Sequence, residues 1–218
     1  MITRKSVHSL STAEKATFVR ALLELKRRGR YDEYVHWHHH VMVPSVLPSE
    51  PRDANYRNGA HRGPSFLPWH REFLMQVEAD LRSIEPSAFV PYWDWTRDAK
   101  LPDPTKAPIW DVDFLGGNGL ELDEWRVQDG SFAHKAGGWP VPAYPDDDLP
   151  GPGLKRQFAR MLPTLPTEDD LKLAMNEIFY DTPNYDQTPF TVGFRNRLEG
   201  LDHGARRQPG QDGRVAIA

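Results

Sequence analysis

Asn58-Gly59-Ala60-His61-Arg62-Gly63-Pro64-Ser65-Phe66-Leu67-Pro68-Trp69-His70-Arg71-Glu72-Phe73-Leu74 is the stretch on which the fold turns. It follows a Pro-, Arg- and Asn-rich segment, so residues 44–67 read as loop. Pro68 suits the first turn of a helix, where a missing N–H costs nothing. Counted from His70, the apolar residues Phe73, Leu74, Val77, Leu81 and Ile84 fall at offsets of 3, 4, 7, 11 and 14, the stripe of a one-faced helix that Pro86 ends. His70 lies on that stripe, and His61 sits in the loop before it.

Upstream, Tyr31-Asp32-Glu33-Tyr34-Val35-His36-Trp37-His38-His39-His40 predicts a second helix, from about Asp32 to Val43. Tyr31, Tyr34, Val35, His38, Val41 and Met42 share one face; Asp32, Glu33, His36 and His40 share the other. The period therefore turns His38 toward the core and His36 and His40 toward solvent, with His39 about 100° from His38 on the flank. A buried imidazole needs partners for both ring nitrogens. Three of them meeting at one point fit a metal ion, copper or zinc from the donor type. Periodicity alone leaves equally open that His38 and His70 are ordinary core histidines and His61 a surface residue.

The 218 residues imply one domain, and 39% apolar with 11% aromatic content is enough for a core. Twenty prolines and 16 glycines imply long irregular loops. A net charge of −4 with interspersed signs argues against nucleic-acid and membrane-surface partners. There is no cysteine, which excludes disulfides, thiolate metal sites and a cysteine nucleophile. No apolar run is long enough to span a bilayer, and no apolar segment follows the basic residues at the start. The default expectation is a cytoplasmic protein, with export alongside a signal-bearing partner as the alternative.

Elsewhere, Ser11-Thr12-Ala13-Glu14 reads as a capping box opening a helix with Phe18, Ala21, Leu22 and Leu25 on its apolar face and Gly29 beyond its end. Phe89-Val90-Pro91-Tyr92-Trp93-Asp94-Trp95 reads as a packed connection in which Asp94 has a structural role. Residues 96–166 read as a long wrapped loop region with short turns. Thr167-Glu168-Asp169-Asp170 starts another helix, with Leu171, Ala174, Met175 and Ile178 as its apolar face. Residues 180–193 are loop, and Phe194–Gly200 is ordered. The fold class expected is mainly α: an antiparallel helical bundle with long irregular loops.

Three segments carry a resemblance: Arg30 to His38, Gly59 to Arg71, and Pro91 to Trp95, extending through Phe114–Gly117 and Gly138–Pro140 to Gly193–Gly200. Together they resemble the first copper-binding half of bacterial tyrosinases, over about residues 10–200, with the His61–Arg71 motif the most specific. The resemblance implies that His38, His61 and His70 hold one copper, of the two that a complete member couples. It implies oxidation of phenols, o-diphenols or o-aminophenols with dioxygen, and allows a copper-delivery partner protein. Glu199 matches a glutamate that orients a water beside the second copper, a general-base role. A plain surface or salt-bridged acid is its equal alternative.

After Glu199 the family pattern continues Leu-His-Asn-x-x-His and binds the second copper. Here Gly200 is followed by Leu201-Asp202-His203-Gly204, and no His-x-x-x-His pair occurs after His70. The expectation is a first-copper half at residues 1–200 with a divergent, disordered tail at 201–218. That half is either a doubtful oxidoreductase or a non-catalytic mononuclear copper-binding fragment. A one-base shift of the codons for Arg207-Gln208-Pro209 can read Gly-Asn-Leu, so a frameshift from about Ala205 is a candidate cause. Single histidines at 8, 134 and 203 are read as ordinary residues, and Zn hydrolysis is disfavoured for want of a His-Glu-x-x-His glutamate.

Overall fold

The computed structural model describes residues 3–42, 59–61, 63–133, 139, 153–158, 164–182 and 193–203. The tail expected to be divergent lies, from Gly204 on, outside the described residues, as does His134. The described residues are mainly helical: α1 (Thr12–Arg27), α2 (Arg30–Met42), α3 (Phe66–Ile84), a short α4 (Trp95–Asp98), α5 (Glu168–Met175) and α6 (Phe194–His203). By contacts the chain divides into two compact units. One comprises residues 1–32, 78–165 and 216–218; the other comprises 33–77 and 166–215.

In the first unit, α1 begins as its sequence dictates. Ser11 accepts the Glu14 N–H, and Glu14 reaches back to the Ser11 N–H at 2.9 Å. Lys5 and these serine bonds hold the Glu14 carboxyl down at about 2. Gly29, at φ +75°, makes the left-handed turn after the helix. Val19, Ala21 and Leu25 are buried. Val19 joins Val7, Ala107, Ile109, Phe114, Phe132 and Trp139 in one apolar cluster. Glu78 on α3 accepts from Arg4 at 2.8 Å and from the Val90 N–H at 2.9 Å, which ties down the segment leading to Tyr92.

The aromatic connection is irregular, as expected. An isolated parallel bridge joins it to the N-terminal segment, between Ser6 and Tyr92. Asp94 is a helix cap, accepting from the Arg97 N–H at the start of α4. His8, read from sequence as an ordinary residue, is instead nearly buried. Its Nε2 lies 2.9 Å from Asp98, which also accepts from the Trp93 indole at 2.6 Å.

Residues 96–133 hold more order than their composition predicts. Strands β1 (Gly119–Leu120) and β2 (Arg126–Val127) pair antiparallel, and residues 154–156 bond alongside both. Glu124 and Trp125 both have positive φ, 50° and 63°, and turn the chain between the strands. Gly119 is required there, since a Cβ would lie 1.8 Å from the Trp125 carbonyl oxygen. Arg156 donates to the Leu115, Gly116 and Gly117 carbonyls at 3.1, 2.6 and 2.7 Å and stacks over Trp110. Burial brings its guanidinium down to about 10, which is still charged at neutral pH.

Two expected apolar faces need correction. Leu74 on α3 is 37% exposed, while Phe73 and Val77 are half-buried and Leu81 is fully buried. On α5 only Ala174 is buried, with Leu171 half-buried. Met175 is the last helical residue and Ile178 lies beyond the helix; they are 64% and 91% exposed. The helix stops after 8 residues, little more than two turns, so the expected stripe runs past its end.

Candidate metal centre

The second unit places its histidines as helical periodicity requires. On α2, Tyr34 and His38 are buried, one turn apart, while His36 and His40 are exposed and His39 is intermediate. Tyr34 meets Phe73 edge-on at 5.4 Å, and Trp69 stacks on Phe73 at 5.0 Å. These rings form an apolar wall beside His38, whose ring lies 5.6 Å from Trp69 and 6.0 Å from Phe73.

The loop carrying His61 is stapled at both ends. The Gly59 N–H donates to the Val41 carbonyl near the end of α2, and the Ser65 hydroxyl donates to the Gly59 carbonyl at 2.9 Å. Ala60 and His61 are thereby buried. Pro68 has no N–H for the carbonyl one turn before it, that of Pro64. The Tyr180 hydroxyl takes that place, donating to the Pro64 oxygen at 3.0 Å. Burial pushes the Tyr180 phenol up from its ordinary value, so it stays a donor.

His38, His61 and His70 converge. Their ring centroids are 5.2, 5.7 and 5.0 Å apart in the pairs 38–61, 38–70 and 61–70. One nitrogen from each lies within 4.8 Å of the others, the one such metal-compatible cluster among the described residues. With metal–nitrogen bonds of about 2 Å, small ring rotations close that span on an ion. The His70 Nδ1 lies 2.7 Å from the Phe66 carbonyl and donates to it, which leaves Nε2 with the lone pair. A neutral all-imidazole set without carboxylate or thiolate suits copper, and the residues present fit one such ion.

Burial lowers the His70 pKa from its ordinary value; the Phe66 carbonyl and the Glu199 charge oppose that shift without cancelling it. The imidazole is thus neutral, the form that can accept a metal. Between the lowered folded value and the ordinary unfolded one, the unfolded chain binds more protons, so stability rises with pH across that window and levels off above it. We expect the thermal midpoint of the metal-free chain to fall as pH drops from about 7 to about 5. His70→Asn should flatten that slope; an unchanged slope refutes the account.

Glu199 is neither exposed nor simply solvated. It is fully buried on α6 and accepts from Arg195 Nη1 at 2.6 Å. Arg195 also engages Asp181, through Nε at 3.1 Å and Nη2 at 2.5 Å. Sequence reading singled out neither Arg195 nor Asp181, nor Tyr180. The Arg195–Glu199 pair had a signal, opposite charges four residues apart on a helix. Asp181 and Tyr180 had none, because their partners are distant in sequence. Among the described residues no helix is long and apolar enough to cross a membrane.

Comparison with known proteins agrees with this geometry. Residues 28–217 match the family model described as the common central domain of tyrosinase. The chain is 41% identical over 200 residues to a tyrosinase of Streptomyces glaucescens and 42% identical over 205 to one of Streptomyces antibioticus. Each alignment covers 92% of this chain and 67% of the relative. A grixazone synthase of Streptomyces griseus is 36% identical over 214 residues, again with 67% of its length covered. A polyphenol oxidase structure from Thermothelomyces thermophila superposes with a TM-score of 0.62 at 21% identity, over 96% of this chain and 63% of that one, a likeness of fold. With its motifs in place and its histidines converged, the chain belongs to the tyrosinase family of copper-dependent, phenol-oxidising oxidoreductases.

Proposed function

We propose that His38, His61 and His70 bind one copper ion, and that this centre belongs to a site oxidising phenols, o-diphenols or o-aminophenols with dioxygen. The convergence of three buried or half-buried imidazoles carries the reading. The similarity to a grixazone synthase as well as to tyrosinases keeps o-aminophenols among the substrates. Copper, when bound, supplies the electron transfer to dioxygen that the side chains cannot perform.

The chain's own residues supply the rest. The Phe66 carbonyl holds the His70 ring in one tautomer and orientation. Trp69, Phe73 and Phe66 surround the imidazoles and exclude water from them. Glu199 has the role of orienting a water that takes up the phenolic proton. His61 is only 2% exposed, and handing the ion into this buried cluster is the task of a copper-delivery partner.

In the second reading the chain is a non-catalytic mononuclear copper binder. It is favoured by the single three-histidine cluster among the described residues. Metal analysis and catechol oxidation by the loaded chain separate the two. We expect one copper per chain and no turnover by the chain alone. Turnover without an added partner overturns the mononuclear reading, and no retained copper overturns both.

A further inference from the structure

The stretch between the ligands His61 and His70 is tied from outside near its midpoint. Pro64 follows His61 by three residues and precedes Phe66, whose carbonyl orients His70, by two. The Tyr180 hydroxyl, 116 residues away in sequence, donates to the Pro64 oxygen at 3.0 Å. A phenol donates one proton and still accepts, and the Leu67 N–H, in the first turn of α3, bears on the same oxygen. The other bonds of the stretch are local or lead to α2. Phe66 N–H donates to the Gly63 carbonyl at 3.0 Å, Trp69 N–H to that of Ser65 at 2.9 Å and Gly59 N–H to that of Val41 at 3.1 Å.

Tyr180 is itself held in place. Its carbonyl accepts from the Arg195 N–H at 2.7 Å, and the Phe179 carbonyl accepts from the Phe194 N–H at 2.8 Å, both at the start of α6. Its ring lies 6.4 Å from that of Phe194. Asp181, next in the chain, takes the Arg195 guanidinium at 3.1 and 2.5 Å. The hydroxyl therefore stands on a fixed base, within the same unit as the three histidines.

We infer that Tyr180 is a positioning residue for the metal centre: by holding the Pro64 carbonyl, its hydroxyl sets how the His61 loop stands against α3, and so where the His61 and His70 rings meet. This rests on the copper reading above. A helix would bond that carbonyl to the N–H at position 68, and Pro68 has none. A distant bond thus replaces a local one. The local bond would satisfy the carbonyl equally well but would anchor the loop to nothing beyond α3. Metal affinity is sensitive to such anchoring, because each ring must reach within about 2 Å of the ion and groups that only support a ligand still govern binding.

The test is a double-substitution cycle on the full chain: wild type, Tyr180→Phe, Pro68→Ala and the two together. Tyr180→Phe removes one oxygen and keeps the ring. Pro68→Ala restores an N–H that can serve the Pro64 carbonyl without Tyr180. Three quantities are read: copper affinity by competition with a chelator, the EPR spectrum of the Cu(II)-loaded chain, and the ring-nitrogen NMR shifts of His61 and His70 in the metal-free chain. Tyr180→Phe should weaken copper binding about tenfold, alter the EPR spectrum and move both sets of ring shifts, and do so equally with Pro68 or with Pro68→Ala. A merely structural hydroxyl gives losses that Pro68→Ala cancels. That result, or wild-type affinity and shifts in Tyr180→Phe, overturns the proposal. If Tyr180→Phe does not fold, the double variant compared with Pro68→Ala gives the same reading, because the Pro64 carbonyl then has its donor. If the wild type retains no copper, the copper reading fails by itself, and the ring shifts of the metal-free chain still decide the role of Tyr180.

Discussion

Replacing His70 with alanine is expected to abolish stoichiometric copper binding. The reasoning is geometric. His70 meets His38 at 5.7 Å and His61 at 5.0 Å between ring centroids, and it is the ligand whose tautomer the Phe66 carbonyl fixes. Two imidazoles left behind are a poor match for a site that encloses the ion on three sides. The fold should survive, because His70 is only half-buried and α3 is anchored elsewhere by Leu81 and Glu78. Metal analysis after dialysis, with circular dichroism as the folding control, decides it. One copper per chain retained by His70→Ala would refute the ligand assignment.

The second large effect is on stability. Phe114 is 1% exposed, meets Phe18 at 5.6 Å and belongs to the apolar cluster of the first unit. Truncating a buried phenylalanine to alanine removes its transfer free energy and leaves a cavity, at a cost of about 3–5 kcal/mol. For a chain of this length that lowers the melting temperature by roughly 10 °C. Phe114→Ala should show such a drop in a thermal melt; a change of about 1 °C or less would mean that the cluster is not where the unit's stability lies.

Much of this was legible in the residues because it rests on local periodicity and local chemistry. The 3.6-residue period separated His38 from His36 and His40. Ser11 with Glu14 announced α1, and Thr167 with its acids announced α5, where Thr167 and Asp170 complete a capping box. What escaped depends on partners far along the chain. Arg156 becomes a carbonyl clamp only because residues 115–117 come to it. Strands of two residues give no alternation to detect. His8 reads as an ordinary residue until Asp98 is brought beside it. Glu199 was recognisable by family likeness, yet its burial against Arg195 was not.

The outward-facing side of α2 has a practical bearing. His36 and His40 stand one helical turn apart, exposed, with their rings 6.3 Å apart and inclined by only 21°. An i, i+4 histidine pair can chelate a divalent transition metal. Retention on nickel resin is therefore an expected result, which His36→Ala should abolish. Surplus copper is expected to bind the same pair, so a weak chelator should be applied before the interior ion is counted.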